Sequence, residues 1–383
     1  MNILKKPAKQ IWINECIFQG TDPHFGLRVW QLTSSPLAAD NVYCEQLYTS
    51  ADGSRIALRR FSRPEYTTPC ELWVGDLNTH KTTFICEGFT GLGASNPYSD
   101  RIFFLHTSGG KETLCALNLK TLDLQTVLDL GKGSEAVSLA VTADEKYLVR
   151  GPHYLGEKKY GLSRISLESG ESGMFFEIDE MCNPHLQCDP SSDKRIMVQL
   201  NRGMETDEYG NITKLAGGEG ATIFSVDIEG NNFQYFPAAA PHTTMLTGHE
   251  CWLAKTGKSV FTTCDVYTPH GKPLGGDVYM AAPADIKPEL LLSGLACNHI
   301  SAASDGRFFI VDDFKGGHIH IGSIESRRSL AICSPAIVLG RPQYSHPHAY
   351  LTPGNKWLVY NVCRGGLAHV HIGEIPEGVL DTL

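Results

Sequence analysis

Seven times along the chain, a short polar turn leads into a β-rich run. Ala51-Asp52-Gly53-Ser54-Arg55 opens onto Ile56-Ala57-Leu58, and Ser304-Asp305-Gly306-Arg307 onto Phe308-Phe309-Ile310-Val311. Thr352-Pro353-Gly354-Asn355-Lys356, Thr142-Ala143-Asp144-Glu145-Lys146, Ser191-Ser192-Asp193-Lys194 and Lys255-Thr256-Gly257-Lys258 do the same, with a weaker copy at Tyr98-Ser99-Asp100-Arg101. After each turn comes an alternating run that ends in a second turn, clearest in Leu72-Trp73-Val74-Gly75-Asp76-Leu77. Turn residues between short runs of β-formers predict antiparallel strands, and their recurrence predicts one repeated unit.

The units are spaced by roughly 40–60 residues, which suits four-stranded propeller blades. The sequence therefore predicts an all-β fold: a single seven-bladed β-propeller over residues 1–383, with four-stranded antiparallel blades. The blades fall at about 40–88, 89–133, 134–181, 182–246, 247–295, 296–344 and 345–377. The run Leu27-Arg28-Val29-Trp30-Gln31-Leu32-Thr33 has strand character but no unit of its own, so segment 26–34 is expected to close the ring against the last blade. A pair of stacked sheets, or a ring of six or eight blades, are the alternatives. Asn201 to Glu219 is polar and glycine-rich, and reads as a long loop over one face, with a disordered insertion as the alternative.

Charge narrows the partners. A net charge of −9 without any basic cluster argues against nucleic acid, whose phosphates are bound by clustered Lys and Arg. No apolar run approaches the ~20 residues of a membrane span, and residues 1–19 lack the apolar stretch and cleavage site of a signal peptide. The 12 cysteines are scattered and contain no Cys-x-x-Cys. Together these features predict a cytoplasmic protein with reduced thiols, and neither nucleic acid nor membrane as partner.

In a propeller the strand before each turn lines the central channel, so residues there converge from different blades. In the later units that place holds histidine: His185, His249, His299, and the pair His346 and His348. These are five of the chain's 15 histidines. A lone histidine at a strand start is more often a hydrogen-bonded structural residue than a ligand. In His346-Pro347-His348, however, i and i+2 share one face of a strand, and the proline removes a competing donor. Imidazole suits divalent transition metals, and the amide oxygen of Gln343 suits harder ions such as Mn²⁺. The joint pattern of His299, Gln343, His346 and His348 predicts a site for Mn²⁺ or another divalent cation. His318-Ile319-His320 and His369-Val370-His371 share the spacing but lie in the third strands, away from the channel. No Gly-x-Ser-x-Gly elbow, Walker loop or Rossmann glycine pattern occurs in the required context.

At these residues the chain resembles the oligogalacturonate lyases, a polysaccharide lyase family of seven-bladed propellers. The resemblance runs through Gly26-Leu27-Arg28-Val29-Trp30-Gln31-Leu32-Thr33, His249-Glu250-Cys251-Trp252, His299 to Gly306, and Gln343-x-x-His346-Pro347-His348 followed by Thr352-Pro353. It implies Mn²⁺ held by His299, Gln343, His346 and His348, and His249 as the base that abstracts the C5 proton of a uronate. The implied reaction is β-elimination of short oligogalacturonates to unsaturated uronates during pectin breakdown. Glu250 or a backbone carbonyl is expected to orient His249. Substrate contacts are expected from His185, Arg202 and Arg341. Where the family implies an arginine in the fourth unit, this chain runs Glu219-Gly220-Ala221-Thr222-Ile223. That departure leaves a lyase for a different uronide open, and a non-catalytic propeller module is the further alternative.

Overall fold

The computed structural model of the chain describes residues 10–34, 36–62, 69–132, 138–207, 211–267, 273–335 and 345–383. The fold is all-β and built from antiparallel sheets. Four of them are four-stranded. One runs Ser138–Val141, Tyr147–Gly156, Lys159–Ser166 and Ser172–Asp179; the next Gln187–Cys188, Arg195–Leu200, Thr222–Asp227 and Gln234–Tyr235. The third runs Met245–Trp252, Ser259–Cys264, Asp277–Ala281 and Glu289–Ser293; the fourth Cys297–Ala302, Phe308–Asp313, His318–Ser323 and Ser329–Cys333.

The N-terminal region departs from this regular pattern. Lys81–Ser95 is a single 15-residue strand. It pairs backwards with Cys70–Asp76 and forwards with Arg101–Ser108, fusing two units into one sheet. The expected boundary at 88/89 therefore falls inside a continuous strand. At the other end, Arg28–Gln31 pairs with Leu367–Glu374 in the register Arg28↔Glu374 to Gln31↔His371. Ile17–Thr21 adds a further strand outside it that the sequence reading did not anticipate.

The turns form for a local reason. A hydroxyl or carboxylate at the turn start satisfies backbone N–H groups that the strands leave over. In one, Thr142 donates to Asp144 at 2.7 Å, and Asp144 Oδ1 accepts the Lys146 N–H. The amides of Ser50, Thr142, Leu253, Ala303 and Thr352 each reach the carbonyl five residues on, at 2.8–3.0 Å. Gly53 shows why the Asp-Gly sequence matters there. Its φ is +68°, and an added Cβ would stand 2.3 Å from the Pro353 carbonyl oxygen of the last unit's turn.

The core lies between sheets. Each apolar strand face packs on its neighbour, as Ile196, Val198 and Phe224 do on Val149 and Leu162. Ile300, Phe309 and Val311 likewise pack on Val260, Val278 and Met280. One cluster joins the two ends of the chain: Ile56, Leu58 and Trp73 pack with Leu32, Trp357, Val359, Val370 and Ile372. First strands of successive sheets also touch, Met245–Trp252 against Cys297–Ala302 and the latter against Tyr350–Leu351. The segment 201–219, expected as a loop, carries a small hairpin of Glu205–Thr206 with Ile212–Lys214. All 12 cysteines are free, and no helix among the described residues is long and apolar enough to cross a membrane.

Candidate metal centre and its flanking histidines

Two triads of ligand-type side chains lie side by side. His299, His346 and His348 form one, and Glu45, His185 and His249 the other. Their elements come from far apart in sequence. His299 sits in the first strand of its sheet, Cys297–Ala302, and His249 in Met245–Trp252. His346 and His348 precede the strand Tyr350–Leu351. The ring centroids of His299 lie 4.3 Å from His249, 5.1 Å from His346 and 4.5 Å from His348.

The shared strand face expected for His346 and His348 is corrected by the structure. Neither residue is in a strand, and His348 has φ of +42°. The left-handed turn at His348, not β alternation, brings both rings to one place.

The first triad has the properties of a cation site. His299 Nδ1 contacts Asp312 Oδ2 at 2.6 Å, while Asp312 Oδ1 accepts the His299 amide at 2.8 Å. A carboxylate on Nδ1 fixes the tautomer and leaves Nε2 as the ligand atom. Burial holds Asp312 up to about 6. It also holds His299 and His348 well below the usual imidazole range, with neighbouring histidine charge adding to the shift. Both are therefore neutral near pH 7, as metal ligation requires. Most telling is His348. It is 1% exposed, and neither ring nitrogen has a hydrogen-bond partner. Buried polar atoms are rarely left alone, because each lost hydrogen bond costs about 1–3 kcal/mol. A divalent ion would satisfy that demand, and a set of three imidazoles suits such an ion. Gln343, the expected fourth ligand, lies outside the described residues, as does Arg341.

The second triad already satisfies itself. Glu45 reaches His185 Nδ1 at 2.9 and 2.8 Å through its two oxygens, and His249 Nδ1 at 3.1 Å through Oε1. The Tyr43 hydroxyl adds a contact to His249 Nδ1 at 3.2 Å. With each Nδ1 engaged by the carboxylate, this group needs no ion. Its two imidazoles are driven in opposite directions. Burial disfavours charge on His185, but the Glu45 carboxylate overrides it and raises the ring to about 9. Burial, then the neighbouring His299, pushes His249 down to about 4. Burial also opposes charge on Glu45, but the His185 charge holds its carboxyl below the usual range.

Tyr43 and Glu45 were missed by the sequence reading, and Glu45 corrects the expectation that Glu250 or a carbonyl orients His249. Consecutive strand residues face opposite ways, and both Glu250 carboxylate oxygens are buried without a partner. A signal did exist. Asp40-Asn41-Val42-Tyr43-Cys44-Glu45 stands before the first unit's turn, the same place that holds histidine in later units. This segment is held under strain. Val42 has φ of +69°, unusual for a β-branched residue. Asp40 and Arg59 fix it through a bidentate pair at 2.9 and 2.7 Å, and Arg59 also donates to the Val42 carbonyl at 3.0 Å.

The remaining expected contacts separate. His185 joins the site through Glu45. The Arg202 guanidinium is engaged by the carbonyls of Gly220, Ala240 and Glu219 at 3.1, 3.1 and 2.8 Å. His318, His320, His369 and His371 lie in third strands, apart from both triads.

No protein-family model matches the sequence, and no curated protein matches it. Solved structures do. An oligogalacturonate lyase in complex with manganese is similar with a TM-score of 0.73 at 19% identity, over 97% of this chain and 98% of that one. An oligogalacturonate lyase from Vibrio parahaemolyticus gives a TM-score of 0.73 at 15% identity, over 97% and 100%. The β-propeller domain of the Trilobed protease from Pyrococcus furiosus gives 0.51 at 13% identity, over 90% and 97%. At these identities the likeness shows the fold: all-β, propeller-like, and similar to that of oligogalacturonate lyases.

Proposed function

We propose that this chain is a metal-dependent lyase of the cytoplasm that cleaves short oligogalacturonates by β-elimination to unsaturated uronates. The observation that carries the reading is one juxtaposition: a neutral, carboxylate-held His249 packed 4.3 Å from His299 of an all-imidazole cation site. We also take the molecule to be one seven-bladed ring over 1–383, with segment 26–34 closing it; the Arg28–Gln31 pairing with Leu367–Glu374 supports this.

His299, His346 and His348 would hold Mn²⁺ or a similar ion, with Gln343 as a fourth ligand. Bound there, the ion supplies positive charge that acidifies the C–H beside a substrate carboxylate. The residues of the chain do the rest. Glu45 accepts the His249 Nδ1 proton, which fixes the tautomer and leaves the Nε2 lone pair free. Nε2 takes the C5 proton. The electrons of that C–H bond become the C4=C5 double bond, and the C4–O pair departs with the leaving oxygen, which takes a proton from solvent. His185, held as an imidazolium by Glu45, offers a fixed positive charge to an anionic substrate.

A second reading is favoured by one contact set. Arg202 is tied to three carbonyls, so a carboxylate clamp built on it would differ, and a uronide other than galacturonate would then be the substrate. The test is ultraviolet absorbance of an unsaturated uronate, with di- and trigalacturonate, added Mn²⁺ or chelator. A chelator-sensitive rise supports the proposal. A rise on another uronide alone keeps the mechanism and replaces the substrate. No rise on any uronide, with no metal bound, would leave a binding module instead.

A further inference from the structure

Two buried asparagines stand behind the His346-Pro347-His348 segment. Asn41 and Asn361 are 0% and 1% exposed. They bind one another reciprocally: the Asn361 amide donates to Asn41 Oδ1 at 3.0 Å, and the Asn41 backbone N–H donates to Asn361 Oδ1 at 3.0 Å. Three further donor bonds go to the histidine segment. Asn361 Nδ2 donates to the His346 carbonyl at 3.1 Å, the Asn361 backbone N–H to the Pro347 carbonyl at 2.8 Å, and Asn41 Nδ2 to the His348 carbonyl at 2.8 Å.

Three consecutive carbonyls are thus held by two residues, those of His346 and His348 by side-chain amides and that of Pro347 by a backbone N–H. The arrangement also fixes which way the Asn361 amide points. Turned over, its oxygen would face the Asn41 and His346 oxygens, and its nitrogen would face an N–H. The segment needs such a hold. His348 is a non-glycine residue at φ of +42°, a conformation that persists only where surroundings impose it. Its side chain gives no help, because neither ring nitrogen is hydrogen-bonded.

We infer that Asn41 and Asn361 are positioning residues for the cation site: by pinning the carbonyls of His346, Pro347 and His348, they aim both imidazoles and set the affinity for the ion. The inference rests on the reading of His299, His346 and His348 as ligands. It differs from a general packing role, which would govern stability and leave affinity alone.

The experiment titrates Mn²⁺ alone into the full chain by calorimetry, with thermal unfolding measured on the same samples. Asn361→Asp removes two donors at nearly constant volume, and Asn41→Ala removes the donor to the His348 carbonyl together with the Oδ1 that accepts from the Asn361 amide. Thr222→Val is the control, since it deletes a buried hydrogen bond to the Ala238 carbonyl in another sheet. Groups that orient metal ligands typically change affinity by about 10–100-fold. The expected result is a Kd weakened by about that factor in both asparagine variants, and an unchanged Kd in Thr222→Val despite a lower Tm. Should Asn361→Asp fail to fold, Asn41→Ala carries the test. Folded asparagine variants that bind Mn²⁺ like the parent would overturn the inference and leave the site standing. A parent chain that binds no Mn²⁺ would remove the site and the inference together.

Discussion

Oε1 of Glu45 lies 3.1 Å from Nδ1 of His249, while both oxygens of the same carboxylate hold His185. One buried anion thereby serves two imidazoles, orienting a neutral ring and stabilising a charged one. Glu45→Gln keeps the shape and removes the charge. Turnover on a uronide is expected to fall by roughly 10²-fold or more, within the ~10²–10⁴ range of general acid–base catalysis. Mn²⁺ content should be retained, because His299, His346 and His348 are untouched. Near-parental kcat in a folded variant would remove Glu45 from the machinery.

His249 separates base from ligand. His249→Ala is expected to give a folded, metal-loaded and inactive protein, since its ring borders the cation site without belonging to it. Metal analysis alongside the absorbance assay checks this. Loss of Mn²⁺ together with activity would make His249 a ligand instead.

His348 gives a stability readout that needs no substrate. Its two buried nitrogens lack partners, so the metal-free chain carries the cost of their desolvation. His348→Leu should leave the metal-free Tm equal or higher, because an apolar side chain asks for no hydrogen bond there. Saturating Mn²⁺ should stabilise the parent by about 2.7 kcal/mol at one hundred times Kd, and should not stabilise His348→Leu. The same loss of metal response is expected for His346→Ala. A metal-dependent rise in Tm that survives either change would count against the ligand assignment.

The strands were legible because Asp-Gly turns and β-formers recur, and each second and third strand starts where that local signal sits. The histidines were legible for the same reason: His249 and His299 occupy equivalent places in their units. What stayed hidden depends on three-dimensional neighbours. Glu250 adjoins His249 in sequence yet leaves both oxygens unpartnered, whereas Glu45 reaches it from 204 residues away. The left-handed turn at His348 replaces the strand alternation that the spacing suggested. Asn41 and Asn361 carry no pattern at all, because an amide pair 320 residues apart has no local signature.

Two groups beside the site predict the direction of pH dependence. Burial raises Glu250 to about 8, above its ordinary value of 4.5, so the folded chain binds the extra proton between those values and stability falls as pH rises toward 8. His185 is raised from 6.5 to about 9 by Glu45, against its burial, so its contribution is full below 6.5 and is lost as pH rises through 9. Both act in the same sense. Metal-free Tm is expected to decline from pH 6.5 to pH 9, and Glu250→Gln should flatten the earlier part of that decline. An unchanged slope in Glu250→Gln would show that its carboxyl is not protonated in the fold.

The strap from Asp40 to Glu45 supplies both Asn41 behind His346 and His348 and Glu45 beside His249, so its anchor should be felt at both. Arg59 and Asp40 are 2% and 0% exposed at their side chains, and the pair is bidentate. Arg59 also donates to the carbonyls of Val42 and Gly91, each at 3.0 Å. Removing one partner of such a pair leaves an uncompensated buried charge, which typically costs about 3–5 kcal/mol. Arg59→Met should therefore destabilise by about that amount in urea unfolding, and should weaken Mn²⁺ binding as the Val42 carbonyl loses its donor. The double variant Arg59→Met with Asp40→Leu removes the stranded charge, so much of the stability should return. Affinity should not return with it, because the strap still lacks its anchor. Recovery of both would reduce the pair to bulk packing. Recovery of stability alone would identify the ion pair as the device that holds a strained strap against two working sites.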